Sequence, residues 1–134
     1  MKAGTLINMD EARKSRTVRV INTTRGTVVG DKITVADRPI SRFIGLLGTS
    51  SLGPGSGLLI HPSQGVHTIG MTFPIDVIFL DRNWRVLEVR ESLKPFRVTS
   101  LNWRAANVLE LPVSSIKTSS TEVNDQISIQ GSEE

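Results

Sequence analysis

The chain has 134 residues, 38% hydrophobic and 22% charged, with 16 Lys and Arg against 13 Asp and Glu for a net charge of +3; this balance indicates one globular domain with a single core. Because Cys is absent, disulfides, thiolate metal sites, iron–sulfur clusters and a cysteine nucleophile are excluded. No apolar run approaches the ~20 residues that cross a bilayer, and the first residues lack the apolar stretch of a signal peptide, so we expect a cytoplasmic protein without a transmembrane segment.

The charges divide the chain unevenly. Residues 1–42 contain 9 Lys and Arg against 4 Asp and Glu, whereas the remaining residues contain 7 against 9. Residues 1–15 show no sustained periodicity, which is typical of a flexible segment. We therefore expect a flexible N-terminal arm at 1–15, one domain over 16–130 and a C-terminal tail at 131–134.

Alternating apolar and polar residues in the first half of the domain predict three strands, at 17–22, 27–30 and 32–36. Gly30 and Asp31 are typical of a turn, which would make a hairpin of the last two strands. The next apolar residues follow the spacing i, i+3, i+4 and i+7, which predicts one short helix near 38–47. These residues are Ile40, Phe43, Ile44 and Leu47.

The second half of the domain predicts further strands, at 57–60, 75–80, 85–90, 105–111 and 126–130. The run at 75–80 is almost wholly apolar and rich in β-branched residues, which is typical of a central strand buried on both faces. Altogether the pattern predicts a β-rich α+β fold, a compact antiparallel barrel-like or sandwich sheet of seven or eight short strands with one short helix.

Asp76 interrupts the apolar run at 75–80, and strand alternation places it on the same face as Ile78 and Leu80. A buried carboxylate needs solvent at a strand end, backbone N–H donors or a cation. It can fix the path of the loop before it, or it can pair with His67 as an acid/base group. Arg42, beside the apolar stripe of the predicted helix, is a candidate cation.

Other motifs give weaker signals. His61 and His67 are six residues apart, which is not a known metal-binding spacing, so we predict no metal and no cofactor. A basic N-terminal third and two Trp residues beside arginines permit weak nucleic-acid binding, but aromatic residues make up only 4% of the chain, which disfavours it. The residues concerned are Arg13, Lys14, Arg16, Arg19, Arg25, Trp84 and Trp103.

Several segments carry a family resemblance. The helix motif Arg42-Phe-Ile-Gly-Leu-Leu47, the strand Gly57-Leu-Leu-Ile60, the segment from Val66 to Asp81 containing His-Thr-x-x-Met-x-x-Pro-Ile-Asp, and Val108-Leu-Glu-Leu-Pro112 occur in order. By these motifs the chain resembles the bacterial and archaeal family called domain of unknown function 192. The resemblance implies a small β-rich fold with one helix and implies no reaction. The family positions matched here are Arg42, Gly45, Gly57, His67, Met71, Pro74, Asp76, Glu110 and Asp125.

These observations lead to one main hypothesis and two alternatives. The main one is a small non-catalytic module that binds a small molecule or peptide at the mouth of a barrel-like sheet through Arg42, His67 and Asp76. The first alternative is a hydrolase-like or metal-assisted enzyme that uses His67 and Asp76. The second is a weak nucleic-acid binder that uses the basic N-terminal third.

Overall fold

The structure is a computed structural model, and it describes residues 16–36, 52–66, 71–95 and 100–131. The predicted arm at 1–15 and the predicted helix near 38–47 lie outside the described residues. The described strands are β1 Thr17–Asn22, β2 Thr27–Ala36, β3 Ser56–Ile60, β4 Gly65–Val66, β5 Ile75–Leu80, β6 Val86–Leu93, β7 Ser100–Leu101, β8 Asn107–Leu111 and β9 Ile127–Gly131. The described residues also form one helix, α1, which spans Ser115–Ser119.

Seven of these strands form one sheet in the order β6-β5-β8-β3-β2-β1-β9, and β4 pairs with β7 in a separate small sheet. Neighbours in the large sheet are antiparallel except β2 and β3, which are parallel. The sheet curls into a half-barrel because the edge strands β6 and β9 meet at one corner. There Arg85 and Gln126 form an isolated antiparallel β-bridge, and the Val86 N–H donates to the Asp125 carbonyl at 2.9 Å.

Two apolar clusters cover the two faces of the sheet. The inner cluster takes residues from all seven strands and from α1, so it fills the inside of the curl. The outer cluster draws mainly on β3, β5 and β8, together with Met71 and Ala105. In β5, Ile78 and Leu80 belong to the inner cluster, whereas Ile75, Val77 and Phe79 belong to the outer one.

The structure confirms the predicted β-rich, barrel-like fold and the burial of β5, whose six residues are all buried. Two details of the prediction were wrong. β5 lies second in the sheet, and β3 is the central strand. Residues 27–36 form one continuous strand rather than a hairpin turning at Gly30 and Asp31. Val20 pairs with Gly30 between two register shifts, so the glycine accommodates a bulge in the ladder and not a turn.

The helix α1 was not predicted from the sequence. It has five residues, and its one apolar side chain, that of Ile116, enters the core. The sequence of the helix therefore shows no apolar stripe at helical spacing. No helix formed by the described residues is long and apolar enough to cross a membrane.

Gly57 lets two strands approach closely. A Cβ at this position would overlap the backbone oxygen of Glu110 in the neighbouring strand and would lie 3.1 Å from Leu111 Cδ2. We expect Gly57→Ala to lower the free energy of unfolding by about 2 kcal/mol, because the overlap forces two backbones apart. Urea denaturation should show this loss, while Gly53→Ala, with only Ser56 Oγ at 3.9 Å, should be neutral. Equal stability of the two variants would contradict the close approach.

Candidate functional site

Asp76 is fully buried on the inner face of β5, at the end of the half-barrel that α1 covers. Its Oδ1 accepts the N–H of Ser92 at 2.9 Å, and its Oδ2 accepts the N–H of Ile116 at 3.0 Å. Ser92 has a left-handed backbone (φ 53°) in a bulge of β6, and Ile116 lies in the first turn of α1. The carboxylate therefore joins the bulge and the helix by satisfying two N–H groups that the sheet and the helix leave unpaired.

These contacts match one of the three environments predicted for the Asp76 carboxylate, hydrogen bonds from backbone N–H groups. The donors, however, come from distant segments and not from the loop that precedes it. Arg42 and His67, the other two predicted site residues, lie outside the described residues. The set of Arg42, His67 and Asp76 therefore stays a prediction.

A buried polar network lies at the same end of the half-barrel. Asp125 Oδ2 accepts Asn22 Nδ2 at 2.9 Å, Arg25 Nε at 3.0 Å and the Glu122 N–H at 2.9 Å, and its Oδ1 accepts Arg25 Nη2 at 3.2 Å. Asn22 Nδ2 also donates to Thr121 Oγ1 at 3.0 Å. Burial raises the pKa of Asp125, but the hydrogen bonds from Arg25, Asn22 and Glu122 outweigh it, so the pKa lies below its usual value.

Glu88 on β6 has the same kind of environment on the outer side of the sheet. Its carboxylate accepts Arg90 Nε at 2.8 Å and Asn102 Nδ2 at 2.9 Å. Partial burial raises the pKa of Glu88, and the hydrogen bonds from Arg90 and Asn102 lower it further than burial raises it. Through these hydrogen bonds the Glu88 carboxylate links β6 to the segment after β7.

A cavity of about 300 Å³ lies at the opposite end of the half-barrel, where β1 and β9 begin and end, respectively; we call it the end pocket. Val18 and Leu59 form its buried floor, and half-buried apolar side chains form its walls. Its rim is exposed, so the pocket opens to solvent. The lining residues are Arg16, Val18, Val35, Leu59, His61, Trp84, Ile129 and Gly131.

Hydrogen bonds fix the imidazole of His61 at the rim of the end pocket. His61 Nδ1 contacts Oδ1 of buried Asn107, and Asn107 Nδ2 donates to the carbonyl of Asp81 at 3.3 Å. Because the amide nitrogen faces a carbonyl, Oδ1 must face the imidazole, so His61 Nδ1 carries the proton. The ring also lies 6.1 Å from the Trp84 ring, centre to centre, at 32°.

The sequence indicated the members of this pocket singly and not together. His61 was considered as a metal ligand, and Trp84 and Arg16 as parts of a nucleic-acid surface. Each of these residues lies just before or just after a strand. This position is the sequence signal that could have grouped them, because strand ends lie together at the mouths of a barrel. Of the basic residues named for nucleic acid, Arg25 is paired with Glu122 and Asp125, and Arg13 and Lys14 lie outside the described residues.

Within residues 16–36, 52–66, 71–95 and 100–131, no group of three His, Asp or Glu side chains converges as metal ligands would. The described residues that line the end pocket contribute one imidazole and no carboxylate. The described part of the chain therefore offers a largely apolar cavity with a basic rim.

Comparison with known proteins places the chain among uncharacterised relatives. A family model named DUF192, described as "Uncharacterized ACR", matches residues 20–129. A UPF0127 protein of Thermococcus sibiricus is 31% identical over 120 residues, covering 86% of this chain and 77% of the relative. A UPF0127 protein of Thermococcus gammatolerans is 32% identical over 114 residues, covering 81% and 73%, respectively.

Two crystal structures are similar in fold. One, from Sinorhizobium meliloti and provisionally described as a transcription regulator, has a TM-score of 0.67 at 21% identity and covers 86% of this chain and 93% of its own. The other, a protein of unknown function from Novosphingobium aromaticivorans, has a TM-score of 0.66 at 19% identity and covers 84% and 83%. At these identities the likeness concerns the fold alone.

Proposed function

Given that the chain belongs to the DUF192 family, a family described as uncharacterised, we propose that it is a non-catalytic binding module that holds a small, largely apolar molecule in the end pocket. The observation that carries this proposal is the cavity of about 300 Å³ at the open end of the half-barrel. Its volume lies at the lower end of the ~300–1,000 Å³ typical of small-molecule sites. The occupant is therefore a compact molecule.

The apolar lining supports binding at this position. Val35, Trp84 and Ile129 are only half-buried and pack against the inner cluster, so each leaves apolar surface in contact with water inside the cavity. A ligand that covers this surface gains about 25 cal/mol for each Å² removed from water. Trp84 adds a flat aromatic wall, which favours a planar ligand body.

The contacts of Asp76 favour a binding module over the enzyme alternative. A general base must reach a proton of the substrate within hydrogen-bond distance. Asp76 is fully buried, and both of its oxygens already accept backbone N–H groups. Its arrangement is that of a structural carboxylate, so we place ligand binding at the other end of the half-barrel.

Binding can be tested with a neutral aromatic probe, 2-phenylethanol, in two-dimensional NMR of the ¹⁵N-labelled protein. We expect saturable shifts of the Trp84 indole N–H with a Kd on the order of 1 mM. Trp103 is 76% exposed and does not line the pocket, so its indole N–H supplies a reference signal in the same spectrum. An unchanged Trp84 signal at saturating probe would refute the proposal.

A pair of volume variants supplies the control. Val35 lines the end pocket, whereas Val28, in the same strand, is 46% exposed and lies outside it. Val35→Phe should fill the cavity and weaken binding at least about tenfold, the equivalent of ~1.4 kcal/mol. Val28→Phe adds the same volume and should leave binding unchanged. Equal binding by both variants would place the probe elsewhere.

A further inference from the structure

Among the described residues that line it, the end pocket has positive charge on its rim and no acidic side chain. Of the eight residues in the described part of the chain that line it, only Arg16 and His61 can bear a charge, and neither is acidic. Arg16 is exposed, and its carbonyl accepts the Val35 N–H at 2.8 Å, which holds its backbone against the pocket wall. Among the described residues, no carboxylate pairs with its guanidinium, so this donor is available to a ligand.

His61 can supply a second donor without losing its present bond. Because Nδ1–H already binds Asn107 Oδ1, the free position of the ring is Nε2. A proton added at Nε2 leaves the Asn107 bond intact and turns the ring into an imidazolium with one N–H available. The buried Asn107 amide, held by the Asp81 carbonyl, thus fixes the orientation of the ring.

We propose that the ligand of the end pocket is a small organic anion, a carboxylate on a flat apolar body, with the carboxylate at Arg16 and His61 and the body against Trp84. This inference rests on the proposed function and adds the chemical class of the ligand. Guanidinium groups bind carboxylates through paired N–H donors, and such charge-assisted hydrogen bonds are stronger than neutral ones. The floor at Val18 and Leu59 receives only the apolar end of the molecule.

The test compares three probes that share one aromatic body and differ in charge: phenylacetate, 2-phenylethanol and 2-phenylethylammonium. Each is titrated into the labelled protein with the Trp84 indole N–H as the signal. We expect phenylacetate to bind about tenfold tighter than the alcohol, and the ammonium compound to bind more weakly than either. If the alcohol and phenylacetate bind equally, the inference on charge fails while the proposed function stands. If none of the three binds, the proposed function fails.

Variants identify the groups that recognise the carboxylate. Arg16→Gln should remove most of the preference for phenylacetate over the alcohol. His61→Gln should reduce the same preference by a smaller factor. Arg19→Gln is the matched control, because Arg19 is exposed on β1, donates to Gln130 and does not line the pocket. An equal loss of preference in Arg16→Gln and Arg19→Gln would show a general effect of net charge and overturn the assignment.

Discussion

Replacing Asp76 with Ala should lower the free energy of unfolding by about 3 kcal/mol, because it removes a fully buried carboxylate that accepts two backbone N–H groups. These groups belong to Ser92 and Ile116; the bond from Ile116 is buried, and the bond from Ser92 is partly buried. The loss should appear as a lower urea midpoint with an unchanged slope, since the unfolded state is the same.

Asp76→Asn gives a finer test of the same bonds. An amide offers one oxygen and one NH₂ group, so it can accept from one N–H but must point a donor at the other. We therefore expect a loss of about 2 kcal/mol, smaller than that of Asp76→Ala.

Asp81 provides the matched control for this change. Its Oδ1 alone accepts both the Asn83 N–H at 2.8 Å and the Arg85 N–H at 3.0 Å. Asp81→Asn retains that oxygen and should cost less than about 0.5 kcal/mol. If Asp76→Asn were as stable as Asp81→Asn, Asp76 would not hold the bulge and the helix together.

The strands were predictable because their signals are local. Alternation and β-branched residues give β1, β3, β5, β8 and β9 to within a residue or two, and alternation within β5 correctly assigns its two faces. The burial of Asp76 followed from the same alternation, since its neighbours Ile78 and Leu80 on that face belong to the core.

What the sequence did not show depends on contacts between distant segments. A glycine inside a strand has the same local signal as a glycine in a turn, so the sequence predicts a turn at Gly30, whereas its pairing with Val20 places it in a bulged strand. The donors to Asp76 lie 16 and 40 residues away. The end pocket combines strand ends from opposite termini of the chain, and only the curl of the sheet brings Arg16, His61 and Trp84 together.

Asp125→Ala should destabilise the protein by about 3 kcal/mol at neutral pH, because one nearly buried carboxylate accepts four hydrogen bonds from three residues. Its loss leaves Asn22 Nδ2 with only Thr121 as acceptor and leaves Arg25 with Glu122 on the surface. The end of the half-barrel that α1 covers, where β1 meets the segment after α1, should unfold locally first. Hydrogen exchange at the Glu122 N–H should report this local opening.

The pH dependence of the free energy of unfolding shows how much of the stability from Asp125 depends on its negative charge. Since the pKa of Asp125 in the folded protein lies below its unfolded value near 3.9, the unfolded chain binds the proton first as pH falls. Stability from this group is therefore fully present above about pH 5 and is lost as the pH falls through the folded pKa. Urea unfolding from pH 7 to 2.5 should show a steep acid limb that Asp125→Asn flattens, with Glu88 supplying the remaining slope. An acid limb of Asp125→Asn that runs parallel to the wild-type limb would contradict this coupling, because a group with the same affinity for protons in both states cannot couple folding to pH.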